Sequence, residues 1–140
     1  MRPFLIVLVA LAGCTAAPLS APPGRGTDSS PGPVAFGSEA QYQEQRTAAV
    51  AALRAAARST PASAPGACRT AGVGERPCGG PFEYVVYSAE AADTLRVAGW
   101  AEHVYRLDSL ANARFGYGST CEFRGPPPVA LRNGECVAGQ

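Results

Sequence analysis

Phe82-Glu83-Tyr84-Val85-Val86-Tyr87-Ser88, continued by the run from Ala89 to Asn112, decides the fold class. The first stretch is aromatic and β-branched, a composition that suits a half-buried pleated surface, and it predicts a strand over 82–87. Ser88 then stands where a helix needs a side chain to accept from a first-turn N–H. Glu90 and Asp93 follow, suited to the positive end of the helix dipole. The spacing predicts a helix from Ser88 to about Asn112. Val97, Trp100, Val104, Leu107 and Ala111 recur at alternating steps of three and four and share one face. This helix is expected to be the principal core element, with Trp100 buried in it and Gly116 and Gly118 ending it.

Beyond the helix, Cys121-Glu122-Phe123-Arg124 reads as a short strand and Gly125-Pro126-Pro127-Pro128 as a stiff connection. Val129–Arg132 and Glu135–Ala138 flank Asn133-Gly134, a strong hairpin signal because both residues tolerate the positive φ of a type I′ turn. Arg132 and Glu135 would face each other across it. The expected architecture over 67–138 is α+β: a strand, a long helix, then three short antiparallel strands.

Four cysteines frame this region: Cys68, Cys78, Cys121 and Cys136. An even number argues for disulfides if the chain meets an oxidising compartment. A core of about 70 residues is marginal without such staples. Of the three pairings, Cys68 with Cys78 and Cys121 with Cys136 is favoured, because each closes a short loop around a turn, contributing about 3 kcal/mol apiece. A four-cysteine zinc site would use closer pairs, and a redox pair would use Cys-x-x-Cys; neither spacing is present, so no metal or cofactor is expected.

Toward the N-terminus, 60–66 (Thr60-Pro61-Ala62-Ser63-Ala64-Pro65-Gly66) reads as a linker. Residues 38–59 open with the capping-box spacing Ser38-Glu39-Ala40-Gln41 and continue in good helix formers. Their apolar stripe, Val50, Leu53 and Ala57, is weak, so a solvated spacer or a packed edge helix is expected, with a partner-binding helix as the alternative. Residues 14–37 are broken by Pro and Gly and read as a disordered tether, roughly 25 Å long as a coil and about 70 Å as polyproline II. The chain has 16 Gly and 13 Pro in 140 residues. All its basic residues are Arg, and the formal charge is +1. Scattered Arg in a nearly neutral chain gives no electrostatic footprint for nucleic acid and no polybasic patch for anionic lipid.

Residues 1–13 have a positive start, Met1-Arg2, and an unbroken apolar run from Phe4 to Ala12. That run is too short to span a bilayer, which takes about 20 residues, and has the length of a signal-peptide core. Leu11-Ala12-Gly13-Cys14 resembles the bacterial lipobox. The resemblance implies cleavage before Cys14, a diacylglyceryl thioether on its sulfur, and usually a further acyl chain such as palmitate on the new amino group. Two or three chains would hold the protein on a membrane, since each buried methylene contributes about 0.8 kcal/mol. Thr15 stands where an Asp commonly retains Gram-negative lipoproteins at the inner membrane, which favours the outer membrane. Cys68 to Val137 is in turn similar to a group of small bacterial lipoproteins with no assigned activity. The residues carrying this are Cys68, Cys78-Gly79-Gly80-Pro81, Tyr84, Tyr87-Ser88, Tyr105, Asn112, Ser119, Cys121, Pro126-Pro127, Gly134 and Cys136. The pattern departs at Arg106, where members often have Asn, and at Thr120, where they often have Asp. It implies no substrate and no catalytic residue.

Three functions remain as expectations. The first is a non-catalytic, lipid-anchored module binding an envelope protein or other envelope component, on the periplasmic face or the surface. The second is a protease-inhibitor-like module presenting Arg69 or Arg76 from the Cys68–Cys78 loop. The third is a small hydrolase using His103, the single histidine; Glu102 lies at another azimuth of the helix and makes no dyad with it. Asn112 and Tyr105 are either pocket residues or partners in internal hydrogen bonds.

Overall fold

The computed structural model describes residues 30–122 and 124–139. The expected leader 1–13, the lipidation site Cys14 and the tether as far as residue 29 lie outside the described residues. The fold is a small α+β domain. Helix α1 (Glu39–Ala56) comes first, then strands β1 (Cys68–Val73) and β2 (Glu83–Ser88), helix α2 (Thr94–Phe115), and strands β3 (Val129–Arg132) and β4 (Glu135–Ala138). The strands form two antiparallel pairs, β1–β2 and β3–β4. Helix α1 packs along α2, α2 lies on β1, and β4 sits beside β2.

The face of α2 is the one its periodicity predicts. Val97, Val104, Leu107 and Ala111 are fully buried, while Trp100 is only partly so. The start of the helix differs from expectation. Ser88 is the last residue of β2, where its N–H donates to Ser59 O at 2.9 Å and its Oγ accepts from Glu90 N. A turn follows, and Asp93 is the cap, its Oδ1 accepting from Arg96 N at 3.1 Å. Gly116, with φ of 65°, ends the helix in the left-handed conformation that glycine adopts without a Cβ penalty.

Helix α1 is part of the core. Ser38 accepts from Gln41 N as its cap, and Tyr42, Ala49, Leu53 and Ala57 are buried on the face turned to the rest of the domain. The expected tether also ends early: Phe36 is buried, with its ring 5.3 Å from Tyr42 and 5.9 Å from Phe115. Residues 60–66 are likewise no free linker. Thr60 O accepts from Cys136 N at 2.8 Å, Ala62 N donates to Gly134 O at 2.9 Å, and Pro61 bridges Glu135. With Ser59 O bonded to Ser88 N, this segment is a seam between the two strand pairs.

The strand order is corrected in two places. β1 is a strand that composition concealed: only Thr70 and Val73 are strong β-formers, and Gly72 lies so close to Pro81 that a Cβ there would come within 3.1 Å of it. The strand expected at 121–124 is absent from its described residues. Cys121 has φ of 53°, which breaks an extended ladder, and Phe123 lies outside the described residues. The C-terminal hairpin is as expected, with Arg132 opposite Glu135 and positive φ at Asn133 (53°) and Gly134 (79°).

The disulfides are Cys68–Cys136 and Cys78–Cys121, which overturns the favoured pairing. β1 supplies the reason. A six-residue strand spans about 20 Å, so Cys68 and Cys78 fall at opposite ends of the β1–β2 pair. A disulfide needs Cα atoms within about 7 Å. Cys68 instead meets β4, with a Cα separation of 5.3 Å. The observed bonds close sequence separations of 68 and 43 residues, so each removes more chain entropy from the unfolded state than a local loop would, about 4 kcal/mol on the loop model.

Candidate binding cleft

The site is organised around a buried carboxylate. Asp108 projects from the packed face of α2 and is fully buried. Its Oδ1 accepts from the Tyr42 hydroxyl at 2.9 Å and from Arg46 Nε at 2.8 Å, and its Oδ2 accepts from Glu75 N at 3.1 Å. Tyr42 and Arg46 are four residues apart, so α1 presents both from one face. The chain reaches Asp108 on the other side only because residue 74 is glycine: its φ is +74°, and a Cβ there would lie 2.0 Å from Oδ2. One side chain thus ties together α1, α2 and the turn after β1. Burial, and then the Asp108 hydrogen bond and charge, push the Tyr42 phenol well above its ordinary range, keeping it a donor. Burial works against the charge on Arg46, but the hydrogen bond and the negative charge of Asp108 outweigh it and hold the guanidinium protonated.

From this anchor Arg46 extends over Phe82, with its Cζ 5.1 Å from the ring centroid. An open cleft of about 580 Å³ lies here, lined by Tyr42, Gln43, Arg46, Phe82, Asn112 and Tyr117 among others. Phe82 is 45% exposed, a large apolar ring left in solvent at the cleft. Asn112 Nδ2 donates to Glu75 O at 2.9 Å, and the Tyr117 hydroxyl donates to Glu39. Glu83, also on the wall, is paired with Arg54. Pro77, Gly118 and Ser119 form the rim next to the Cys78–Cys121 bond.

Of the residues singled out from sequence, Asn112 serves both of its expected alternatives, lining the cleft and bonding internally. Tyr105 is elsewhere, in a separate groove of about 450 Å³ with Pro81, Tyr84 and Ala98. His103 packs edge-on against Trp100, with ring centroids 5.6 Å apart, and burial together with the Arg106 charge lowers its pKa. The loop that motivated the inhibitor expectation is not closed by a disulfide. Arg76 is buried, and Arg69 lies in β1 with its guanidinium on the carbonyls of Gly66 and Cys68. Arg69 is exposed but stands on a strand, and Arg76 is withdrawn from solvent. Asp108 was not found by sequence reasoning. Its signal is present, since a carboxylate four residues after Val104 and three before Ala111 must fall on the apolar face and must find donors there.

Among the described residues no group of three or more His, Cys, Asp or Glu could hold a metal ion. No helix among them is long and apolar enough to cross a membrane. No family model matches the chain, and no curated protein or solved structure matches it.

Proposed function

We propose that this chain is a lipid-anchored bacterial envelope lipoprotein whose folded domain is a non-catalytic binding module, with the Arg46–Phe82 cleft as its binding surface. The observation that carries the reading is the lipobox-like Leu11-Ala12-Gly13-Cys14 directly after a nine-residue apolar run. A chain processed there is tethered by its first residue and needs no membrane-spanning helix. The outer membrane is the favoured address, because Thr15 follows the cysteine. Support for binding comes from the cleft. Its size lies within the usual small-ligand range of roughly 300–1,000 Å³, its walls rest on a fixed Asp108–Arg46 pair, and Phe82 is left exposed in it.

Detergent phase partitioning with intact-mass measurement tests the anchor. The wild-type chain is expected in the detergent phase, its mass increased by the acyl groups. Cys14→Ser is expected to stay in the aqueous phase or remain unprocessed. Equal partitioning and equal processing of the two would remove the anchored reading. Site-specific crosslinking from position 43, in the living envelope, tests the cleft as the contact surface; crosslinks only from the opposite face would refute it.

A further inference from the structure

We infer that the Arg46–Phe82 cleft takes a neutral glycan, a short stretch of uncharged sugar units. The inference deepens the binding-module reading and rests on it. Charge is the first argument. The two charged side chains on the walls are each paired within the chain, Arg46 with the buried Asp108 at 2.8 Å and Glu83 with Arg54 in an exposed pair. A phosphate or carboxylate ligand would therefore meet no unpaired cation on the walls.

Wall chemistry is the second argument. Sugars offer flat C–H faces and pairs of vicinal hydroxyls. Flat apolar faces suit aromatic rings, and Phe82 and Tyr117 stand at the cleft, Phe82 with one face under Arg46 and 45% of its surface still in solvent. Hydroxyl pairs suit planar side chains that offer two polar atoms at fixed spacing, namely Arg46, Asn112 and Gln43, and Ser119 adds a hydroxyl that both donates and accepts. Arg46 spends its Nε on Asp108 and turns one Nη toward Gly74, which leaves the other Nη for a ligand hydroxyl. Asn112 spends Nδ2 on Glu75 O, which leaves Oδ1 to accept from a ligand hydroxyl. Both planar groups are thus oriented before any ligand arrives, which lowers the ordering cost of binding. A purely apolar ligand would bury these polar atoms unpaired, at a cost of about 1–3 kcal/mol each.

The test is calorimetric titration of the full chain, held in a detergent without a sugar headgroup, with neutral hexose and N-acetylhexosamine oligomers of about two to five units. At least one oligomer is expected to bind with a Kd of about 1 mM or tighter. Phe82→Ala is expected to weaken it roughly tenfold by removing the stacking ring, and Gln43→Ala to weaken it less. Leu95→Ala, at an exposed residue outside the cleft, is expected to leave binding unchanged. Circular dichroism of the variants should match the wild type, since Phe82 and Gln43 are both exposed. Absence of binding across the panel, or binding that Phe82→Ala leaves intact, overturns the inference. A proline-rich peptide that binds in a Phe82-dependent way while no oligomer does would overturn the glycan assignment and leave the cleft as a binding surface. The anchor is read separately, by Cys14→Ser partitioning, so the failure of one is not mistaken for the failure of the other.

Discussion

Asp108 shows how much of a small fold can rest on one side chain. It is a charge with no exposure to water, and it is stable there because Tyr42, Arg46 and the Glu75 N–H all donate to it. Asp108→Ala strips these donors of their acceptor and leaves Arg46 half-buried without a counter-charge. Removing one partner of a buried pair costs about 3–5 kcal/mol, so urea unfolding should show a loss of this order with the m-value little changed; a loss below about 1 kcal/mol would mean water replaces the carboxylate. Gly74→Ala should be nearly as damaging, since its Cβ would overlap Oδ2. Tyr42 adds a pH signature. Its phenol is raised in the folded state, so the unfolded chain ionises first. The stabilisation is complete below the unfolded value near 10 and is lost as pH climbs from there toward the folded value. Alkaline unfolding should therefore begin above about pH 10, and Tyr42→Phe should flatten that slope while lowering stability at pH 7; an unchanged slope in the variant would place the alkaline transition elsewhere.

Elements differ in how openly the sequence declares them. Helix α2 is readable because four fully buried side chains recur at the helical period, and the C-terminal hairpin because Asn133-Gly134 fits one turn type. β1 is hidden: Arg69-Thr70-Ala71-Gly72 has little β-propensity, and its pairing with β2 is imposed by long-range packing. The disulfide pairing is hidden with it, because without that strand Cys68 and Cys78 read as neighbours. The residues of the cleft were hidden for a related reason. Arg46, Phe82 and Tyr117 come from three separate segments, and no local pattern announces their meeting. Trp100 departs less from its pattern. It sits at the margin of the α2 face and is partly exposed, so Trp100→Ala should cost about 2 kcal/mol, below the 3–5 typical of a fully buried aromatic. The two disulfides should also separate experimentally. Cys68 and Cys136 are both buried, whereas Cys78 and Cys121 are both exposed. Graded reduction with a dithiol under native conditions, followed by alkylation and peptide mapping, should open Cys78–Cys121 first. Simultaneous opening of both would indicate that reduction proceeds through global unfolding.

For the whole molecule, the question is where the folding unit begins. Composition places the boundary at the first framework cysteine, with a domain over 67–138 and a spacer helix before it. The contacts place it earlier. Phe36, Tyr42, Ala49, Leu53 and Ala57 belong to the same buried cluster as Val97, Val104 and Leu107. Two of the three donors to Asp108 come from α1. The seam at Ser59–Ala62 carries backbone hydrogen bonds to both strand pairs. A fragment covering 67–138 would expose the apolar face of α2, leave Asp108 with the Glu75 N–H as its remaining donor, and free the strand pairs from their seam. Each loss is of the order of a few kcal/mol, and a domain this small holds only about 5–15 kcal/mol in total. The fragment should therefore lack near-UV circular dichroism and cooperative thermal unfolding even with both disulfides formed, whereas a chain covering 30–139 should unfold in one cooperative transition. A sharply unfolding 67–138 fragment would show that the disulfides and the α2 face suffice, and that α1 is an accessory packed on a self-sufficient core.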